Sequence, residues 1–400
     1  MVESKTLDAF FTNSRVFYSK HQRPISSTTT LESLVDSKQI SEYDAKKYIQ
    51  TNRILVHPRA RDIANLFLIY KKTFGSKTEQ AVYSKLGWNI HLFIVRLIKQ
   101  RPLCFFGTDD TTLLRDGTKL AFAGQQWDRV GSDDESSSLR MEDYLTYEEM
   151  MISSLLGVSG YTAYLNDGRR TNNGLLRLDQ AHREGTQIGL VGARFEREGR
   201  MDSMYLPDVP THSNSFLASM FPGDTFEQRY KSRIRISIET MLIEAEGRGA
   251  AVKRKVWLNV VGLGLGVWQT DDNQKRWYIE EFTHALERFK FYHISVLEFA
   301  WIDVDQQTRS YVEKAAAAAA SDIKVLWSKR APSERLADSS VLLVTTYAWD
   351  SNSYPGNEFY LGMLSTSGDP AAAASSLISE TQNPEINGSM LKQIVYLKQD

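Results

Sequence analysis

Between residues 255 and 348, strand-like and helix-like segments alternate, and no other feature limits the fold of this chain as strongly. An apolar run over 255–261 reads as a strand that enters a glycine loop. A helix is expected over 274–291, a strand over 293–300, a helix over 306–320, and strands over 323–327 and 341–348. Parallel neighbours need a crossover connection, usually a helix, so this order implies an α/β domain. Its sheet is mostly parallel and covered by helices on both faces. The six consecutive alanines at 315–320 fit an ordinary helix, since alanine has the highest helix propensity.

The upstream texture differs. Residues 1 to about 110 read as mostly helical. Ser41-Glu42-Tyr43-Asp44 supplies a cap, with Ala45, Tyr48 and Ile49 on one face of the helix that follows. His57-Pro58 opens a second run carrying Ile63, Leu66, Phe67, Tyr70 and Phe74 at helical spacing, and 77–99 repeats the pattern. Residues 107–145 are rich in Gly, Asp, Ser and Thr and read as loops, most clearly at 131–138. A helix is expected over 147–156, strands over 161–165 and 187–195, and a long amphipathic helix over 226–248, stopped by Gly247 and Gly249. The expected division is a helical N-terminal extension, 1–140, and an α/β ligand-binding domain, 147–400.

Composition excludes several function classes. Lys and Arg number 48 against 49 Asp and Glu, so no basic excess exists to displace counterions from a nucleic-acid backbone. Cys104 is the only cysteine, which excludes an intrachain disulfide and a Cys-rich zinc site. Its neighbours Leu103, Phe105 and Phe106 mark it as a small buried core residue. The seven histidines form no His-x-x-x-His pair, and no Gly-x-Ser-x-Gly elbow occurs. The longest apolar run, 256–268, is broken by Asn259 and three glycines and falls short of the roughly 20 residues a membrane span needs. A soluble, cytoplasmic chain with no membrane partner is expected.

Two strand exits carry candidate chemistry, because ligands of parallel sheets gather outside the carboxyl ends of the strands. The first is Gly262-Leu263-Gly264-Leu265-Gly266, followed by Trp268. Alternating glycines let backbone N–H groups approach a phosphate without Cβ interference; tight strand–helix packing is the other reading. The loop lacks the Gly-Lys-Ser/Thr ending of a triphosphate-binding loop. Trp268 suits either stacking on a ribose or base, or the core. The second exit runs through Asp350, Asn352, Asn357 and Glu358, with Asp369 beyond Gly368. Three acids and two asparagines in a Gly/Pro-rich segment suit acid–base work at a glycosidic bond, or a solvated turn. Asp350 with Glu358 equally suits a hard cation, although the spacing demonstrates no metal. A third loop, Asn166-Asp167-Gly168-Arg169-Arg170-Thr171, offers donors and acceptors for a nucleobase or phosphate, or forms a plain turn.

The run from Glu244 to Gly249 and then from Val256 to Trp268 resembles macrodomains of the poly(ADP-ribose) glycohydrolase type. The segment from Trp349-Asp350 to Glu358 is similar to a divergent branch, the hydrolases related to the bacterial effector MavL. The resemblance covers roughly 147–400. It implies a macrodomain-like three-layer α/β/α sandwich that removes ADP-ribose from modified side chains, arginine above all, with ubiquitin among the carriers. No cofactor is required, and ADP-ribose is ligand and product. Carried over by residue, Gly262, Gly264 and Gly266 would face the diphosphate, Trp268 the distal ribose, and Asp167 the adenine. Asn352 and Asn357 would also bind ligand. Asp350 and Glu358 would be catalytic acids, and Asp369 a third. The glycohydrolase signature of three glycines with Gln-Glu-Glu is absent; residues 191–197 occupy that position, so poly(ADP-ribose) cleavage by that route is not expected. A module that binds ADP-ribose without cleaving it is the alternative.

Overall fold

The computed structural model describes residues 4–24, 28–106, 111–193, 220–221 and 223–398. Its first hundred residues form helices α1 (Ser4–Lys20), α2 (Leu31–Asp36), α3 (Glu42–Gln50), α4 (Pro58–Phe74), α5 (Lys77–Lys85) and α6 (Ile90–Lys99). Caps delimit them as the sequence suggests: the Ser41 hydroxyl accepts from Asp44 N at 3.1 Å, and Pro58 occupies the first turn of α4. The single run read across 77–99 is two helices. The chain turns through left-handed Gly87 (φ 59°) and Trp88 (φ 54°) before Asn89 caps α6.

Within this helical segment lies a strand that periodicity did not reveal, β1 (Arg53–Val56). A small antiparallel sheet follows, built of β2 (Cys104–Phe106), β3 (Thr111–Leu113) and β4 (Lys119–Leu120). Next come α7 (Gly124–Trp127), α8 (Tyr147–Ser153), β5 (Leu156–Ala163) and β6 (Glu184–Leu190). The alternating region then holds α9 (Phe226–Val252), β7 (Val256–Val260), α10 (Gln274–Arg288), β8 (Ile294–Ala300), α11 (Gln306–Ala317), β9 (Lys324–Ser328) and β10 (Leu342–Ala348). The chain closes with α12 (Gly368–Ser375), α13 (Ile378–Thr381) and β11 (Ile394–Tyr396).

The main sheet has eight strands in the order β11-β1-β5-β6-β10-β7-β8-β9. Only β5 runs against the others, pairing antiparallel with both β1 and β6. The mostly parallel α/β architecture is therefore present. Residues 1–140 are largely helical, and they also supply β1 to this sheet. One apolar core cluster runs from Leu7 in α1 to Leu397 beyond β11. Among the described residues, no helix is long and apolar enough to cross a membrane.

Glycines account for the misplaced boundaries. Strand β5 starts at Leu156 rather than 161 because Gly157 and Gly160 interrupt its apolar pattern. The absent Cβ atoms admit Leu190 and Leu55 at one position and Asn52 at the other. Helix α9 passes through Gly247 and Gly249 to Val252 and ends at left-handed Lys253 (φ 54°). A Cβ on Gly249 would lie 2.6 Å from Val256 and 2.7 Å from His293, so this glycine serves packing, not termination. The strand expected over 187–195 is Glu184–Leu190; residues 194–197 lie outside the described residues.

Candidate active site

A cleft of about 550 Å³ opens at the carboxyl ends of three adjacent strands, β10, β7 and β8. The glycine loop leaves β7 and enters it. Val261 N donates to the Thr346 hydroxyl of β10 at 3.1 Å, and Val261 O accepts from the Tyr278 hydroxyl of α10 at 3.0 Å. These bonds fix where the loop begins. Gly262, Leu265 and Gly266 line the cleft, as does Lys275 in the first turn of α10. Nothing would meet a Cβ on Gly266 within 4 Å, whereas Gly264 has a different duty. It holds φ 71°, and a Cβ there would come 2.8 Å from Ala193 O. Gly192 meets the Gly264 backbone in return, so the two segments cross backbone to backbone. Gly264 and Trp268 do not line the cleft; Trp268 packs on the apolar core.

The opposite wall comes from two interlocked loops. Gly168, Arg169, Arg170 and Thr171 line it, with Ala331, Pro332 and Ser333 beside them. Ser333 N donates to Asp167 O at 3.0 Å, and Arg330 anchors the second loop by pairing with buried Glu298 at 2.9 Å. Asp167 is buried and its carboxylate is already engaged. It accepts from Arg169 N at 3.0 Å and from Asn172, and pairs with the Arg169 guanidinium at 3.3 Å. Its side chain shapes the turn while the following backbone faces the cleft.

Beyond cleft-lining Ala348 and Gly368 lie the acids. Carboxylate oxygens of Asp350, Glu358 and Asp369 all fall within 4.8 Å of one another, so residues 19 positions apart at the extremes converge on one point. Asp350 is half-buried and the other two are buried. The backbone turns through left-handed Ser351 (φ 56°), Gly356 (φ 111°) and Asn357 (φ 33°) to bring them together. Asp369 accepts from Gly356 N at 2.8 Å through Oδ1, while its buried Oδ2 has no partner. Burial, and then the charges of Asp350 and Glu358, hold its carboxyl well above the usual carboxylate range. Like charges this close disfavour ionisation of the whole cluster, and burial favours the protonated form of Asp369.

The N-terminal third supports this loop. Asn357 donates through Nδ2 to Asp350 Oδ2 at 2.5 Å, while its side-chain Oδ1 accepts from Phe105 N of β2 at 2.9 Å. Fully buried Arg101 lies 4.2 Å from the Trp349 ring centroid, and it donates to Leu97 O at 2.7 Å and to Ser353 O at 3.5 Å. It also donates to Ser153, whose hydroxyl bonds Ser351 O at 3.2 Å. Asn352 is fully buried, with neither amide atom partnered. Cys104 is buried as expected. Burial and the three nearby acids push its thiol up, out of the reactive range.

The cleft is thus polar in charge. Arg169, Arg170 and Lys275 face its middle and rim, and the acids stand beyond its β10 end. Among the described residues, no other group of three His, Cys, Asp or Glu side chains comes close enough to share an ion. Such a cluster fits a cation, either a metal ion or a positively charged substrate group.

A family model described as ADP-ribosylhydrolase MavL-like matches residues 15–214 and 203–395. The chain belongs to the MavL-like ADP-ribosylhydrolase family. Two Drosophila melanogaster relatives, named ADP-ribosylarginine hydrolase CG3568 and ADP-ribosylarginine hydrolase CG2909, are 33% and 30% identical over 397 and 388 residues. Each comparison covers 83% of this chain, with 75% and 76% of the respective relative. The match reaches into the N-terminal third of this MavL-like chain, where sequence reading found no chemistry. Arg101 and Phe105 act there through their grip on the acid loop, with Ser153 of α8 bridging Arg101 to Ser351. A cation beside a break in an apolar run was the one available signal, and it named no partner.

Proposed function

We propose that this MavL-like chain hydrolyses the N-glycosidic bond between ADP-ribose and a protein arginine. The charge polarity of the cleft carries this reading: cations and glycine amides suit a diphosphate, and three converging acids suit a guanidinium and a developing oxocarbenium ion. The names of the two fly relatives support arginine as the linkage. A glycine loop and an acid loop at the carboxyl edge of a mostly parallel sheet also support a macrodomain-like sandwich.

In the proposed reaction the diphosphate lies along Gly262 and Gly266 with Lys275 beside it. Asp350 and Glu358 flank the anomeric carbon. One accepts the proton of an attacking water while the C–N bond breaks, and the other stabilises the positive charge that spreads over the sugar. The electron pair of the broken C–N bond stays on nitrogen, so the glycosylated guanidinium leaves as a neutral guanidine, which takes up the proton removed from water and restores the cationic arginine side chain. Asp369, with its protonated form favoured by burial, adds no third negative charge to the cluster and ties its helix to the loop through Gly356 N. In this account the cation between the carboxylates belongs to the substrate, and no cofactor is needed. The carrier is defined by its linkage; ubiquitin modified on arginine is one such protein.

The test is release of ADP-ribose from peptides carrying it on arginine, serine or glutamate, with and without a chelator. Release from arginine alone, unchanged by chelation, is expected. Turnover that vanishes with chelation would give the acid cluster to a metal, and binding of ADP-ribose with no release from any linkage would leave a reader module.

A further inference from the structure

Arg101 and Arg233 are both fully buried, and they grip adjacent serines, Ser153 and Ser154, at the carboxyl end of α8. Arg101 braces the acid loop. Arg233, on α9, does not line the cleft. Its guanidinium donates to Ser154 O at 2.8 Å and to the Ser154 hydroxyl at 3.1 Å. It also donates to the Ser237 hydroxyl at 3.1 Å and reaches Val191 O at 3.5 Å. Every one of these acceptors is a neutral oxygen. Taking a cation out of water without an opposite charge is expensive, and the carbonyl end of one short helix offsets only part of that cost.

What the partners hold gives Arg233 a task. Positions 233 and 237 are four apart on α9 and share one face. The Ser237 hydroxyl accepts from Arg233 and donates to Val191 O at 2.8 Å, so the guanidinium fixes which way that hydroxyl points. Val191 follows the last residue of β6 and leads into Gly192 and Ala193, the backbone on which the glycine loop lies. A Cβ on Gly192 would strike Gly264 N, and one on Gly264 would come 2.8 Å from Ala193 O. We infer that Arg233 is a positioning residue for the ligand diphosphate. Through Ser237 it locks the Val191 carbonyl, and with it the 192–193 backbone that sets where Gly264 sits between cleft-lining Gly262 and Gly266. The inference rests on the proposed reading, in which the amides of that loop receive the diphosphate. The relay stops short of the acids. Leu190, one residue earlier, lies opposite Ala348 in the sheet and accepts from Trp349 N at 2.8 Å, so the acid loop starts from an anchor of its own.

Calorimetry with ADP-ribose and steady-state kinetics with an arginine-modified peptide test this on the full chain, using Ser237→Ala and Arg233→Met. A displaced loop forfeits at least one amide hydrogen bond to a charged group, which is worth about 10-fold or more in affinity. Both variants should therefore bind ADP-ribose about 10-fold or more weakly, with KM rising in step and kcat staying near the wild-type value. Because the two residues act in series, the double variant should bind no more weakly than Arg233→Met alone. If Arg233→Met does not fold, Ser237→Ala, which deletes a single hydroxyl, decides alone. Wild-type affinity in folded Ser237→Ala would overturn the relay, and additive losses in the double variant would overturn the series. A fall in kcat with affinity kept would move the pair to the acid loop and overturn the inference as well. So would a fall in binding stoichiometry at unchanged affinity, which marks unfolded protein and nothing more. A wild type that does not bind ADP-ribose would overturn the reading of the cleft itself, a failure distinct from that of the relay.

Discussion

The glycine loop and the acid loop meet the same cleft by opposite routes. The first is local. Five residues leave a strand, two of their glycines line the cleft, and the loop's shape follows from its own backbone and one crossing with Gly192 and Ala193. The acid loop is a long-range construction, held by β2 through Asn357, by Arg101 from the end of α6, and by α12 through Asp369. A binding surface can be made from strand and helix termini alone. Bringing three carboxyl groups within 4.8 Å needs a scaffold that offsets their repulsion, and here that scaffold is the segment the sequence left without a task.

The largest expected effect bears on the acid loop. Asp350→Asn should lower turnover by about 10²- to 10⁴-fold, the usual contribution of a positioned acid or base, with ADP-ribose binding kept. Steady-state rates with an arginine-modified peptide check it. A variant within a few-fold of wild type would remove Asp350 from the chemistry.

Arg101→Met tests whether the support matters to the acids and not to the glycines. It removes a buried cation together with its bonds to Leu97 O and Ser353 O. Small misplacements of reacting groups can cost about 10²-fold, so turnover should fall by that order while calorimetry finds ADP-ribose affinity unchanged. Equal losses in both would show that one scaffold serves both loops.

Within the glycine loop, Gly264 and Gly266 should part company. Gly264→Ala sets a Cβ 2.8 Å from Ala193 O at φ 71°, and overpacking of this kind costs about 1–3 kcal/mol. Gly266→Ala enters open space, so its stability should stay within about 0.5 kcal/mol while ADP-ribose binds less tightly. Denaturant midpoints and calorimetry on the pair check this, and a Gly264→Ala variant as stable as wild type would undo the crossing argument.

The smallest effect concerns protons. Asp369 holds its proton above the ordinary carboxylate value of 3.8, whereas in the unfolded chain it has released it. The folded state thus binds the extra proton in that window. The contribution of Asp369 is full below the unfolded value and is lost as pH rises toward the folded one, with a slope of at most about 1.4 kcal/mol per pH unit. Asp369→Asn should flatten that slope in unfolding curves taken from pH 4 upward, and an unchanged slope would mean the carboxyl ionises normally.

The alternating region was legible because its strands are apolar runs, with helices joining β7 to β8 and β8 to β9, and β7 through β10 fall where periodicity puts them. Strand β1 was not, because four residues between two helices carry no period of their own. The acids were recognisable as a polar segment after a strand, yet their convergence depends on left-handed turns at Ser351 and Asn357, which residue type does not announce. Arg101 escaped for the same reason; it matters through what the fold sets beside it.

Glu358→Gln offers the most direct test of the division between a binding loop and a reacting loop. ADP-ribose titration and single-turnover release from an arginine-modified peptide would be measured on the same preparation. The account predicts wild-type affinity with release reduced by about 10²-fold or more. Wild-type release, or loss of affinity to match the loss of release, would contradict it.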